Sequence, residues 1–176
     1  MKSILFALVA ALVALPAAAA PQKNIHVRET VDINAPADKA WDIVKNYDAL
    51  PSWNAVFAKD EITSGTNNKV GAVRKLTVKD GPSFDERLTA YNVKGRTYTY
   101  TILDANSPLP LKNYKSTLTV KSTGKGKSQI VWVADFKRKN PDANPPEAES
   151  DAGLHKFISG VFRTGLDAVK KTAEGG

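Results

Sequence analysis

Between residues 57 and 138 the side chains change polarity every second position in six successive runs, at 57–64, 69–79, 83–93, 96–105, 112–123 and 127–138. A period of two belongs to strands with one face covered. The segments between the runs read SGTNN, DGPS, NVKG and STGKGK, and their glycines, asparagines, aspartates and serines suit tight reversals. One connection, DANSPLPLKN at 104–113, is longer and carries prolines. Six strands joined in this way form an antiparallel sheet, and a sheet of that size twists and curls. Its apolar face needs a cover.

The cover is legible at the end of the chain. Leu154, Ile158, Val161, Gly165 and Val169 recur at helical spacing after Pro146 and Glu147, and Phe157, Phe162 and Leu166 widen the stripe. Upstream, Ile25, Val27, Val31 and Ile33 alternate in another strand at 24–34. The period then changes: Pro36 opens a helical turn, and Ala37, Ala40, Trp41 and Val44 share a helical face. A second short helical turn is expected at Tyr47 to Ser52, next to Pro51. The order is strand, two short helices, six strands and a long helix. This predicts an α+β fold, and the order of its elements resembles the helix-grip (START/Bet v 1-like) arrangement. Its curled antiparallel sheet has about seven strands, with two short helices after the first strand and a long C-terminal helix over the concave face. An up-and-down barrel does not account for the helices. There is no internal repeat and no second domain.

The first residues have the layout of a secretory signal peptide: Met1-Lys2, an apolar run from Ile4 to Leu15, then Pro16 and four alanines. Cleavage after Ala19 would remove residues 1–19 and leave a single domain at 20–176. An uncleaved anchor helix fits the length and flanks less well. The chain has no cysteine, which excludes disulfides, thiolate nucleophiles and zinc–thiolate sites. Export without disulfides points to the periplasm, with no stable membrane anchor after cleavage. The chain is basic, with 25 Lys and Arg against 18 Asp and Glu. Most of the lysines alternate with apolar residues and read as solvated outer faces. With no dense arginine and aromatic cluster, nucleic acid is not an expected partner. A weak attraction to acidic proteins or anionic head groups follows from the charge.

Several segments in this order resemble the SRPBCC, or START-like, helix-grip superfamily, specifically its polyketide cyclase/dehydrase-type branch. They are INAPADKAWDIVKNYDALPSWNAVF, then VGAVRKLTV followed by DERL, RTYTYTI followed by PLPLKNY, and IVWVADF before the last helix. The resemblance covers about residues 25 to 172. An exported basic chain of this length is similar to the MxaD-like periplasmic proteins. That likeness implies an accessory role beside a periplasmic dehydrogenase and its cytochrome, and so an acidic periplasmic redox protein as partner. Fold and family do not fix function by themselves.

The residues that could carry chemistry are few. His26 and His155, the two histidines, have no partner at metal or triad spacing, so no metal site, cofactor or catalytic residue is assigned. Asp60-Glu61 and Glu147, Glu149 and Asp151 read as solvated turns or helix starts. Aromatic residues at strand and helix spacing are mostly core. Among them Trp53, Tyr100, Tyr114 and Trp132 are candidate walls of a pocket under the long helix, with Phe157, Ile158 and Val161 closing it from the helix side.

Arg74 and Glu86 are the anomaly. Both fall on the apolar face of the hairpin VGAVRKLTVKDGPSFDERLTAY, among Val70, Ala72, Leu76, Val78, Phe84, Leu88 and Ala90. If Lys79 pairs with Ser83 the two charges are diagonal neighbours; if Val78 pairs with Pro82 they stand directly opposite. An inward pair must satisfy itself, because an unpaired buried charge is very costly. It is either a structural clasp or the polar end of a ligand pocket. The sequence therefore predicts an exported, non-catalytic binding or accessory protein, with a hydrophobic pocket for a small apolar or amphipathic ligand. The alternatives are the MxaD-like accessory factor, acting through its basic surface, and a polyketide cyclase/dehydratase-like enzyme.

Overall fold

The computed structural model describes residues 22–175; the leader assigned to residues 1–19 lies outside them. Seven strands form one antiparallel sheet: β1 (Ile25–Ile33), β2 (Phe57–Ser64), β3 (Val73–Val78), β4 (Ser83–Asn92), β5 (Thr97–Ile102), β6 (Leu111–Gly124) and β7 (Lys127–Arg138). The order across the sheet is β1-β7-β6-β5-β4-β3-β2. Strands β2 to β7 are thus a continuous meander, and β1 returns to pair with β7. Helix α1 (Ala37–Val44) and a 3-10 turn at Leu50–Ser52 lead from the β1 edge to the β2 edge. Helix α2 (Asp151–Ala173) runs along β1 and crosses α1 on the concave side. The expected architecture is the one observed.

Helix α2 begins where its chemistry allows. Ser150 caps it, accepting the Gly153 N–H at 3.0 Å. The turn before it, Glu147–Glu149, is a separate 3-10 turn rather than the first turn of the helix. It sits so close that a Cβ on Gly153 would lie 1.9 Å from the Glu147 carbonyl oxygen. Along α2, Leu154, Ile158, Phe162, Leu166 and Val169 are buried. Burying side chains of this size contributes roughly 1.5–3 kcal/mol each, so the stripe holds the helix to the sheet.

The hairpin differs from expectation at both ends. Strand β3 starts at Val73, because residues 66–72 form a turn in which Asn68 and Gly71 take positive φ and the Gly71 N–H bonds to the Leu88 carbonyl. Val70, expected inward, is therefore exposed. A register shift between Leu88 and Ala90 changes the phase of β4, so Ala90 points out and Tyr91 is partly buried. Between these two ends the even-numbered face holds. The Val78 N–H bonds to the Pro82 carbonyl across the turn, and Arg74 stands directly opposite Glu86.

Candidate ligand-binding site

Three strands and one turn converge on Arg74. Its Nε and Nη2 donate to Glu86 Oε2 at 2.9 and 2.7 Å, across the β3–β4 ladder. Its Nη1 donates to Asp60 Oδ2 on β2 at 3.1 Å, and to the Tyr47 carbonyl. The guanidinium lies 4.0 Å from the centre of the Tyr47 ring and 5.3 Å from that of Tyr100, near enough for cation–π attraction. The side chains of Arg74 and Glu86 are 2% and 5% exposed, so this charge has left water. Burial pushes the carboxyls of Glu86 and Asp60 above their ordinary range, with Arg74 pulling both back. Burial works against the Arg74 charge too, but Glu86, Tyr47 and Asp60 outweigh it and raise its pKa.

Asp60 corrects the sequence reading. Asp60-Glu61 suggested a solvated turn, yet the Asp60 side chain is buried against Arg74 and also accepts the Leu50 N–H at 3.1 Å. A register shift in β2 between Phe57 and Lys59 turns Asp60 inward. Glu61 keeps the solvated position and faces Lys59.

Beside this cluster lies an enclosed cavity of about 40 Å³, room for on the order of two waters. Glu86, Tyr100, Tyr114 and Trp132 line it from the sheet, and Phe157, Ile158 and Val161 from α2. These seven are all candidates from the sequence. The other two, Arg74 and Trp53, are not on its wall. Arg74 stands behind Glu86. Trp53 packs its ring 5.5 Å from that of Trp132 and against Gly165, where an added Cβ would come within 2.9 Å of it. Trp132 stacks on Phe162 at 4.1 Å between centroids, and its Nε1 donates to Tyr100 Oη at 3.1 Å and Ser116 Oγ at 3.0 Å. Burial pushes the Tyr100 and Tyr114 phenols up, so both stay protonated.

A groove of about 890 Å³ runs outside α2, bordered by Leu109, Pro110, Ala148, Leu154 and Gly160. It shares Val56, Leu109, Phe157 and Val161 with the inner cavity. Phe157 is 46% exposed although it also lines the interior. The partition between groove and cavity is thus one side chain thick. Val56 and Leu109 escaped the sequence reading because both lie in connections, outside any periodic run. Among the described residues no cluster of His, Cys, Asp or Glu could hold a metal ion, and no helix is long and apolar enough to cross a membrane.

The model of the family "Polyketide cyclase / dehydrase and lipid transport" matches residues 24–174. The chain belongs to this family. Within its reach, the Bacillus cereus protein XoxI has a similar structure, with a TM-score of 0.72 and 29% identity over 84% of this chain and 94% of that one. The Zhui aromatase/cyclase of Streptomyces sp. R1128 shares the fold at a TM-score of 0.72 and 20% identity, over 86% of this chain and 94% of its own. MLP-like protein 423 of Arabidopsis thaliana is 24% identical over an alignment of 141 residues that covers 76% of this chain and 88% of that one. Chemically, the space between sheet and α2 is an apolar chamber with one polar end, built from Glu86 and two phenols.

Proposed function

We propose that this protein is an exported, non-catalytic carrier that takes a small apolar or amphipathic molecule between the sheet and α2. The observation that carries this reading is the shared wall. A large apolar groove and a small inner cavity meet at Val56, Leu109, Phe157 and Val161, and Phe157, the exposed one of the four, is the side chain whose rotation would open a path between them. The family, with lipid transport in its description, supports a small hydrophobic ligand. The engagement of Arg74 by Glu86, Asp60 and the Tyr47 carbonyl favours binding over cyclase/dehydratase chemistry, in which the guanidinium would have to reach a developing enolate. Uptake of the neutral dye N-phenylnaphthylamine tests the route. Phe157→Ala should accelerate the fluorescence rise and Phe157→Trp should slow it. Native mass spectrometry of protein isolated from the periplasm should show a retained small molecule; repeated isolation without one would refute the carrier role.

A second reading rests on another surface. Val70 and Val93 are exposed apolar side chains in two turns, each next to a lysine, Lys69 and Lys94. A shallow concavity lined by Lys69, Val70, Tyr91 and Val93 connects them. This arrangement suits an acidic partner protein and supports the MxaD-like accessory role. Such an association should weaken steeply with salt and with Val70→Ser/Val93→Ser. Binding to an acidic periplasmic redox protein that ignored both would exclude it.

A further inference from the structure

The sequence alone leaves open whether Arg74 and Glu86 would meet an acid, an alcohol or a carbonyl at the polar end of the chamber. The geometry narrows this. A ligand carboxylate needs a free cationic donor, and Arg74 is committed. Its Nε and Nη2 both bond Glu86 Oε2, and its Nη1 serves Asp60 and the Tyr47 carbonyl. Two carboxyl groups already face one guanidinium. A ligand carboxylate would be a third, in a largely apolar space, where like charges repel more strongly than in water.

What faces the cavity is Glu86, not Arg74. Because both bonds from Arg74 land on Oε2, Oε1 is the Glu86 oxygen left for the chamber. Tyr100 and Tyr114 stand beside it. Tyr100 already accepts the Trp132 indole N–H, and Ser116 Oγ, which shares that N–H, donates to the Val133 carbonyl. The polar end thus offers a strong acceptor and two phenols within an otherwise apolar wall of Leu50, Phe84, Ile102 and Phe162. A hydroxyl brought there can donate to Glu86. A head group that only accepts would leave Glu86 Oε1 desolvated and unpaired, at the full cost of burying such an atom.

Resting on the carrier reading above, we infer that the site selects amphiphiles whose polar end is an uncharged hydrogen-bond donor, an alcohol or a phenol, and rejects fatty carboxylates. Glu86 is the residue that sets the selection.

Three probes of equal chain length separate charge from donor capacity: decan-1-ol, methyl decanoate and decanoate, at a pH where the acid is ionised. Affinities are read by displacement of N-phenylnaphthylamine and by intrinsic tryptophan fluorescence. Decan-1-ol should bind about tenfold or more tighter than decanoate, a gap of about 1.4 kcal/mol per decade, with methyl decanoate between them. In Glu86→Gln the gap between alcohol and acid should collapse to less than about threefold, since the amide neither repels the carboxylate nor favours the hydroxyl so strongly. Decanoate binding as tightly as decan-1-ol to the native protein would overturn the inference while leaving the carrier intact. Failure of all three probes and of the dye would refute the carrier itself. If Glu86→Gln proves unfolded by circular dichroism, the ranking of the three probes on the native chain decides alone.

Discussion

Two of the arginine–carboxylate pairs in this protein do opposite jobs. Arg74 and Glu86 join neighbouring strands and are 2% and 5% exposed. Arg163 on α2 and Glu29 on β1 join helix to sheet and are 41% and 21% exposed. Around the second pair, Ser159 also donates to Glu29, Arg163 to the Thr30 carbonyl and Lys170 to the Asp32 carbonyl, while Glu174 accepts the Asn34 N–H. One long flank of α2 is therefore stitched to β1 by polar bonds that water can reach. The other flank, at Phe157 and Val161, meets Val56 and Leu109 through apolar contact. The same ion-pair chemistry makes a fixed strut where water is excluded and a releasable latch where it is not.

The contrast can be broken most severely at the strut. Arg74→Ala leaves Glu86 and Asp60 buried without their cation and should cost about 3–5 kcal/mol in chemical denaturation. Glu29→Ala, removing the equivalent partner at the latch, should cost only about 0.5–1 kcal/mol, because solvent screens a pair this exposed; its larger effect should be faster amide exchange in α2.

Acid should separate the two pairs without mutation. Burial tends to raise the Glu29 carboxyl, but hydrogen bonds from Ser159 and Arg163 prevail and hold it below the ordinary glutamate range. Its contribution is complete above the unfolded value and is lost as pH falls through the folded one. Burial puts Glu86 and Asp60 above the ordinary range, so their folded forms take up protons first and their contribution does not fall on acidification. An NMR titration from neutral pH to about 3.5 should therefore perturb β3 and β4 before β1 and α2, and Glu29→Gln should abolish the late step. The smallest expected change in stability, within about 0.5 kcal/mol, belongs to Phe157→Ala, which should nonetheless alter dye uptake more than either charge variant.

Much of this was readable from alternation alone. Parity placed Arg74 and Glu86 on the inner face, and helical spacing placed Ile158 and Val161 under α2. What parity could not foresee were irregularities that change its phase. The shift in β2 turned Asp60 inward, and the shift in β4 turned Ala90 outward. The backbone bonds of Gly71 took Val70 out of the strand before β3 began. Each is an event of pairing between strands, absent from the composition of either one. The volume of the chamber was equally hidden, since it depends on how Phe157, Phe162 and Trp132 interdigitate rather than on which face they occupy.

Gly165 gives the helix a mechanical character. At that point α2 rests directly on Asn54 and Trp53, where even a methyl group would come within 2.8 Å of the Asn54 amide. Phe157 lies eight residues away along the axis, a lever arm of about 12 Å at 1.5 Å per residue. Pivoting α2 about this fulcrum by about 10° would carry Phe157 through about 2 Å. A fulcrum so tight turns a small tilt into a defined displacement at one place, where groove and chamber meet.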